Sequence, residues 1–214
     1  MNVHSFHAPM PATATVRRVP RSQIAGEKRD LILKAATTLF ARRGFFNAQV
    51  ADVAREAGVA AGTVYLYFRG KDDLLISIFE RAMHEALAAV RQALDGVDDP
   101  VERLRRLARV HLERLGRDRD LAVVFQVELR QSTKFMERCS STLLQDYLHA
   151  IRDAIADAQT AGRFRREVGP TFAAKMLFGG LDEMATNWIL SRRRYALAAQ
   201  ADEVVDLFVN GMTT

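Results

Sequence analysis

Apolar residues recur at helical spacing along almost the whole chain, and the breaks between the periodic stretches fall on glycine and proline. The first stretch predicts a helix from about Glu27 to Gly44, with Leu31, Ile32, Ala35, Leu39 and Phe40 inward and Arg42 and Arg43 complementing the carbonyl end of its dipole. In the second, Val50, Val53, Ala54 and Ala57 stand at i, i+3, i+4 and i+7, which leaves Asp52, Arg55 and Glu56 in water. Gly58 permits the positive φ that ends such a helix. In the third, Val64 and Phe68 lie four apart and turn inward together, so that Thr63, Tyr65 and Tyr67 point elsewhere. Phe45 and Phe46, in the link between the first two helices, read as plugs of a small three-helix core.

Beyond Lys71 the segments lengthen. One helix is expected from Lys71 to Leu94, a second from Pro100, whose missing N–H suits a first helical turn, and a third over residues 119–132. The apolar run in that third segment also fits a buried strand, but its helical neighbourhood favours a helix. Three more are expected, from Lys134 to Ala161, Thr171 to Ser191 and Asp202 to Met212. The fold class is therefore all-α, about nine helices: a helix-turn-helix unit over residues 26–70 and a helical ligand-binding and dimerisation unit over 71–214. Gly179 and Gly180 cost helix stability, roughly 1 kcal/mol each against alanine, and allow another helix or a ligand to come close. The last two helices, apolar on several faces, are the expected dimer face.

A short helix, a glycine turn and a second short helix bearing outward hydroxyls form a unit that reads DNA, although the same pattern also fits a corner of a helical core. A net charge of +5 over 214 residues suits an acidic partner, but the basic residues are spread too evenly to choose between nucleic acid and a solvated surface. Residues 1–25, with Pro9, Pro11, Pro20, Arg17, Arg18, Arg21 and no acidic residue, read as a flexible basic arm, either inert or lying along phosphates. The single cysteine, Cys139, supplies neither a disulfide framework nor a zinc cluster, and a redox switch through it is a weak reading. No stretch approaches 18 uninterrupted apolar residues, so no membrane association and a cytoplasmic location are expected.

The run AGVAAGTVYLYFRGKDDLL, with its Gly-Thr-x-Tyr-x-Tyr-Phe string, resembles the recognition region of the TetR family of bacterial regulators. The resemblance implies that Gly62, Thr63, Tyr65, Tyr67 and Lys71 contact operator DNA, mainly at phosphates. Ala60 and Ala61 depart from the family by offering no polar cap, which shifts base reading toward Thr63, Tyr65 and Gln49. Two stretches of the second unit, LAVVFQVELRQS and MLFGGLDEMATNWILSRRRYAL, are similar to the FadR-type members, which control fatty-acid degradation and release DNA on binding long-chain acyl-CoA. That resemblance implies a dimeric repressor with an acyl-CoA effector, no cofactor and no membrane partner.

An acyl tail needs an apolar channel, for which Leu107, Val110, Phe125, Leu129, Leu144, Leu148, Met176 and Phe178 are candidates, each with the alternative of ordinary core. CoA phosphates need guanidinium groups, for which Arg106, Arg109 and Arg130 are candidates, each with the alternative of a solvated face. Asp182 and Trp188 suit pocket and dimer face equally. No phosphate-binding loop, nucleophile elbow or zinc-helix motif occurs, and His4, His7, His84, His111 and His149 have no metal-ligand spacing, so no metal and no enzymatic activity are expected. His111 and His149 read as polar core or pocket wall. The rival function is a repressor of an efflux pump that senses hydrophobic or cationic molecules through an aromatic and acidic pocket; a small-ligand enzyme with an incidental helix-turn-helix stands further off.

Overall fold

The computed structural model describes residues 21–131, 135, 137, 142–193 and 195–213, and among these every regular element is helical. The order is α1 (Arg21–Arg43), α2 (Val50–Glu56), α3 (Ala61–Tyr65), α4 (Lys71–Leu94), α5 (Pro100–Arg117), α6 (Arg119–Val123), α7 (Thr142–Thr160), α8 (Pro170–Leu190) and α9 (Ala201–Met212). The expected all-α class is thus found. Phe135 and Glu137 are helical as well, while the expected helix start at Lys134 and the reading of Cys139 lie outside the described residues, as does the arm up to residue 20.

Two expectations for α1 need correction. The helix starts at Arg21, so residues 21–25 are not part of an arm; proline stops at Pro20, and nothing after it opposes a helix. Leu31 is 47% exposed, and Leu33 and Ala36 are buried beside Ile32, Leu39 and Phe40. The buried face is wider and rotated because α1 packs against α2 on one side and against α4 and α6 on the other. Gly44, at φ +79°, closes α1 with its N–H on the Phe40 carbonyl.

Hydrophobic spacing and local caps explain the remaining elements. In α2 and α3, Val53, Ala54, Ala57, Val64 and Phe68 are buried as expected, and Gly58 makes the turn at φ +65°. The first turns of α4 bury six residues in succession, Leu74 to Phe79, because they are wedged between the reading unit and the larger bundle. Asp99 caps α5 by accepting from the Glu102 N–H at 2.8 Å, ahead of Pro100 at the first position. Asp118 caps α6 in the same way through Leu121 N–H. Over the described residues 119–131 the strand alternative is absent, but α6 does not run straight: it widens into a π-helical turn at Val124–Glu128 and tightens into a 3-10 turn at Leu129–Gln131.

Helix α5 is the axis of the larger bundle, packed on by α4, α7, α8 and α9. Leu104, Ala108 and Leu112 are fully buried along it. A tight approach is made at Gly116, where a Cβ would lie 3.2 Å from the Leu197 Cβ. Gly180 faces α9, where a Cβ would meet Val204 at an ordinary contact distance of 3.9 Å, while Gly179 faces outward. Leu104→Ala should cost about 2–5 kcal/mol by removing buried methyl groups at a site hemmed in on all sides, read as a lower urea midpoint at unchanged slope.

Candidate DNA-reading face and ligand cavity

Burial of Val64 and Phe68 turns the other side of α3 outward. Tyr65 is 59% exposed, Gly62 stands in open space with its main chain accessible, and Thr63 and Tyr67 are half-buried, Tyr67 packing partly against the core. Gln49 is exposed at the N-cap of α2, where its carbonyl accepts from Asp52 and Val53 N–H while its side chain makes no capping bond. These groups form one protruding face at the start of α2 and along α3. Leu66, almost fully exposed beside Tyr65, belongs to the same face and carries no sequence signal, because an outward leucine cannot be told from a core one by type.

Lys71 is less free than the motif implies. Its Nζ donates to the Phe46 carbonyl at 3.1 Å and lies 4.6 Å from the centre of the Phe45 ring. Phe46 is 62% exposed, which corrects its expected role as a core plug; Phe45 alone is buried, edge-on to Phe40, Phe46 and Phe135. The link between α1 and α2 is thus held from outside by Lys71.

An apolar cavity of about 190 Å³ lies between α4, α5, α6, α7 and α8. Of the residues expected to line it, Val110, Phe125, Leu129, Arg130, Leu144 and Phe178 do. The others do not. Leu107 is sealed in the core, Leu148 is half-buried away from the cavity, and Met176 is largely exposed on the outer side of α8. Arg106 bonds Glu102 and the Ala93 carbonyl, and Arg109 bonds Asp202 of α9. Arg106 is thus tied to its own helix and to the last turn of α4, and Arg109 to α9, and neither lines the cavity. Trp188 is also committed elsewhere, donating to the Tyr195 carbonyl at 3.0 Å beneath the Arg119 guanidinium.

The cavity holds a polar cluster that spacing did not group, because its members come from α5, from the π and 3-10 turns that follow α6, and from α7 and α8. Asp182 accepts from Gln126 Nε2 at 2.9 Å and from Arg130, and its Oδ1 lies 3.5 Å from His111 Nε2. His111 Nδ1 and the Tyr147 hydroxyl are 3.2 Å apart. Burial raises the Asp182 carboxyl, but the His111 imidazole, the Gln126 amide and the Arg130 guanidinium together outweigh it and hold the group below its ordinary value. Burial, reinforced by the Asp182 charge, pushes the Tyr147 phenol well up, so it stays protonated. His111 is thereby placed in the pocket wall, one of the two readings open for it.

The π turn joins cavity and reading unit. Phe125, Gln126, Leu129 and Arg130 line the cavity, while Glu128, on the other side of the same turn, is buried and accepts from the Phe45 N–H at 2.6 Å. Thr38 of α1 donates to Asp120 at 2.9 Å one turn earlier. π turns add a residue without breaking the helix, and here the added residue lets both faces of one turn be used.

Two family profiles cover the chain: that of the bacterial regulatory proteins of the tetR family matches residues 32–78, and that of the YsiA-like protein C-terminal region matches residues 79–211. The chain belongs to the TetR family of DNA-binding transcriptional regulators. It is 32% identical over 181 residues to the fatty acid metabolism regulator protein of Bacillus subtilis, covering 85% of this chain and 93% of that one. Among solved structures it is similar to the fatty acid degradation regulator FadR from Bacillus halodurans, at a TM-score of 0.81 and 36% identity over 86% of this chain and 95% of that one. FadR from Bacillus subtilis in complex with stearoyl-CoA matches at 0.80 and 32%, over 86% and 98%.

The depressed carboxyl of Asp182 gives a pH signature. Its stabilising contribution is full above the pKa of an unfolded aspartate, about 3.9, and is lost as pH falls through the lower folded value. The stability gap between the wild type and Asp182→Asn, from urea unfolding, should be wide at neutral pH and narrow below pH of about 4.

Proposed function

We propose that this protein represses genes of fatty-acid degradation and leaves its operator when a long-chain acyl-CoA occupies the cavity. The reading is supported by relatives that regulate fatty-acid metabolism, one of them solved with stearoyl-CoA. The observation that carries it is the shared turn: residues that touch the cavity and the carboxyl that holds the reading unit lie within one π turn. At about 190 Å³ the cavity is smaller than the roughly 300–1,000 Å³ of typical ligand sites. A long acyl chain must therefore push its walls apart, and displacement of Phe125 or Leu129 moves Glu128 with them. Phe45 and the link to α2 follow, which changes the angle at which α3 is presented.

The protein acts in the cytoplasm as a two-fold dimer, by binding and not by catalysis. The dimer face is the outer side of α8, where Phe172, Met176 and Leu190 are exposed around Gly179, together with Leu207 of α9. Pairing is required because two recognition helices must enter successive major grooves about 34–36 Å apart. Gln49, Gly62, Thr63 and Tyr65 make the DNA contacts, with Tyr67 and Lys71 in support at the edge of the face.

The drug-sensing alternative has one observation in its favour, the aromatic wall of Phe79, Phe125, Phe178 and Tyr147 around an acidic residue. The oxygens of that carboxylate already accept from Arg130 and Gln126, so they are not turned to the cavity to receive a cationic drug.

Gel-shift titration should show release of operator DNA by palmitoyl-CoA and not by CoA or palmitate; release by none of the three, with release by a lipophilic cation, would favour the alternative. Raising salt should weaken operator binding steeply, with a slope set by the phosphates contacted. Glu128→Ala should leave palmitoyl-CoA affinity nearly unchanged in calorimetry while reducing the ligand's effect on operator affinity by roughly 5-fold or more, the lower end of ordinary coupling energies.

A further inference from the structure

His111 Nε2 is buried and has no hydrogen-bond partner among the described residues, although the imidazole is otherwise closely held. Its side chain is 10% exposed, its ring packs edge-on to Phe178 and tilted on Tyr147, and Nδ1 is engaged with the Tyr147 hydroxyl. Two neighbours fix which nitrogen carries the proton. Tyr147, a phenol kept neutral by burial, is free to donate to Nδ1, and the Asp182 carboxylate at 3.5 Å favours a proton on Nε2. The ring is therefore an Nε2–H donor in the cavity wall, held by Asp182 only at the long distance of 3.5 Å and open to a better-placed acceptor.

The position of this donor says what kind of acceptor suits it. From half-exposed Arg130 the polar groups run inward through Asp182 to His111 and end at Tyr147, which is fully sealed. Beyond them the walls are apolar, Phe79, Met83, Ala86, Leu144 and Phe125, apart from Arg114, whose guanidinium donates to Glu85. A ligand that fits has a long hydrocarbon part, and one neutral oxygen acceptor placed near the rim where that part begins. A free carboxylate is disfavoured there, because Asp182 already holds a negative charge beside the donor.

We propose that His111 is the specificity residue of the acyl-CoA site, donating from Nε2 to the carbonyl oxygen of the ligand's thioester. This rests on the acyl-CoA reading and deepens it: the acyl chain enters the apolar part, the thioester lies at His111, and the pantetheine arm leaves past Arg130. Arg130 then orients Asp182 and lines the exit. Discrimination against free fatty acid arises from charge, and against a plain alkyl chain from the unmade bond at Nε2.

The test compares palmitoyl-CoA with S-hexadecyl-CoA, a thioether of the same chain length that lacks only the carbonyl oxygen, by calorimetry on the full-length protein. The wild type should bind the thioester roughly 5- to 10-fold more tightly, the worth of one neutral hydrogen bond. His111→Phe, which keeps a ring against Phe178, should bind both ligands alike. The double variant His111→Phe/Tyr147→Phe, which leaves no phenol unpaired, should do the same if the single variant folds poorly. Equal binding of both ligands by the wild type, or discrimination that survives in the folded variants, overturns the role of His111 while leaving the acyl-CoA reading intact. Binding of neither ligand by the wild type overturns that reading, and this proposal with it.

Discussion

A buried hydrogen bond from the Phe45 N–H to the Glu128 carboxyl ties the cavity wall to the reading unit, alongside the packing of α1 on α4 and α6 and the Thr38–Asp120 bond. A buried donor left without its acceptor costs about 1–3 kcal/mol, so the bond cannot be traded away silently when the cavity wall moves. It must be carried along or broken, and either event is felt at the start of α2. Around it the Phe40, Phe45, Phe46 and Phe135 rings and the Lys71 ammonium make the link stiff. Stiffness matters because a loose link would absorb a displacement of the cavity wall before it reached the reading face.

The architecture was legible from spacing because each helix is amphipathic and bounded by a specific stop. Val64 and Phe68 turned inward, Pro100 and Gly58 opened and closed their elements, and the helical neighbourhood of residues 119–132 outweighed their strand-like run. Errors arose where one helix meets several partners at once. Leu31 lies on a face that periodicity marks as inner, yet α1 is gripped from α2 and from α4 and α6, so its buried arc rotates past that residue. Phe46 shows the converse limit, an aromatic side chain whose neighbour took the core position.

The candidate sites divide along the same line. The reading face is local, formed by a few consecutive residues, and is visible in the chain itself. The cavity is not local: its polar cluster takes one residue from each of four elements, and no spacing rule gathers His111, Gln126, Tyr147 and Asp182. Arg106 and Arg109 looked like anion ligands because a run of arginines carries no sign of its partners; in the fold the carboxylates of Glu102 and Asp202 claim them. Val110 and Phe125 were found because they sit on apolar helix faces that point the same way as the cavity.

A cavity of about 190 Å³ makes the parting of its walls a cost of taking up a large effector. If only a small share of molecules is expanded at any moment, observed affinity falls below the intrinsic value by that share. Sensitivity then becomes adjustable without touching any contact with the effector: a bulkier residue at Ala86 or a smaller one at Met83 would retune the concentration at which genes switch on. The response to scarcity or to surplus of one metabolite is in this way set by how reluctantly the cavity walls part, with the binding residues unchanged.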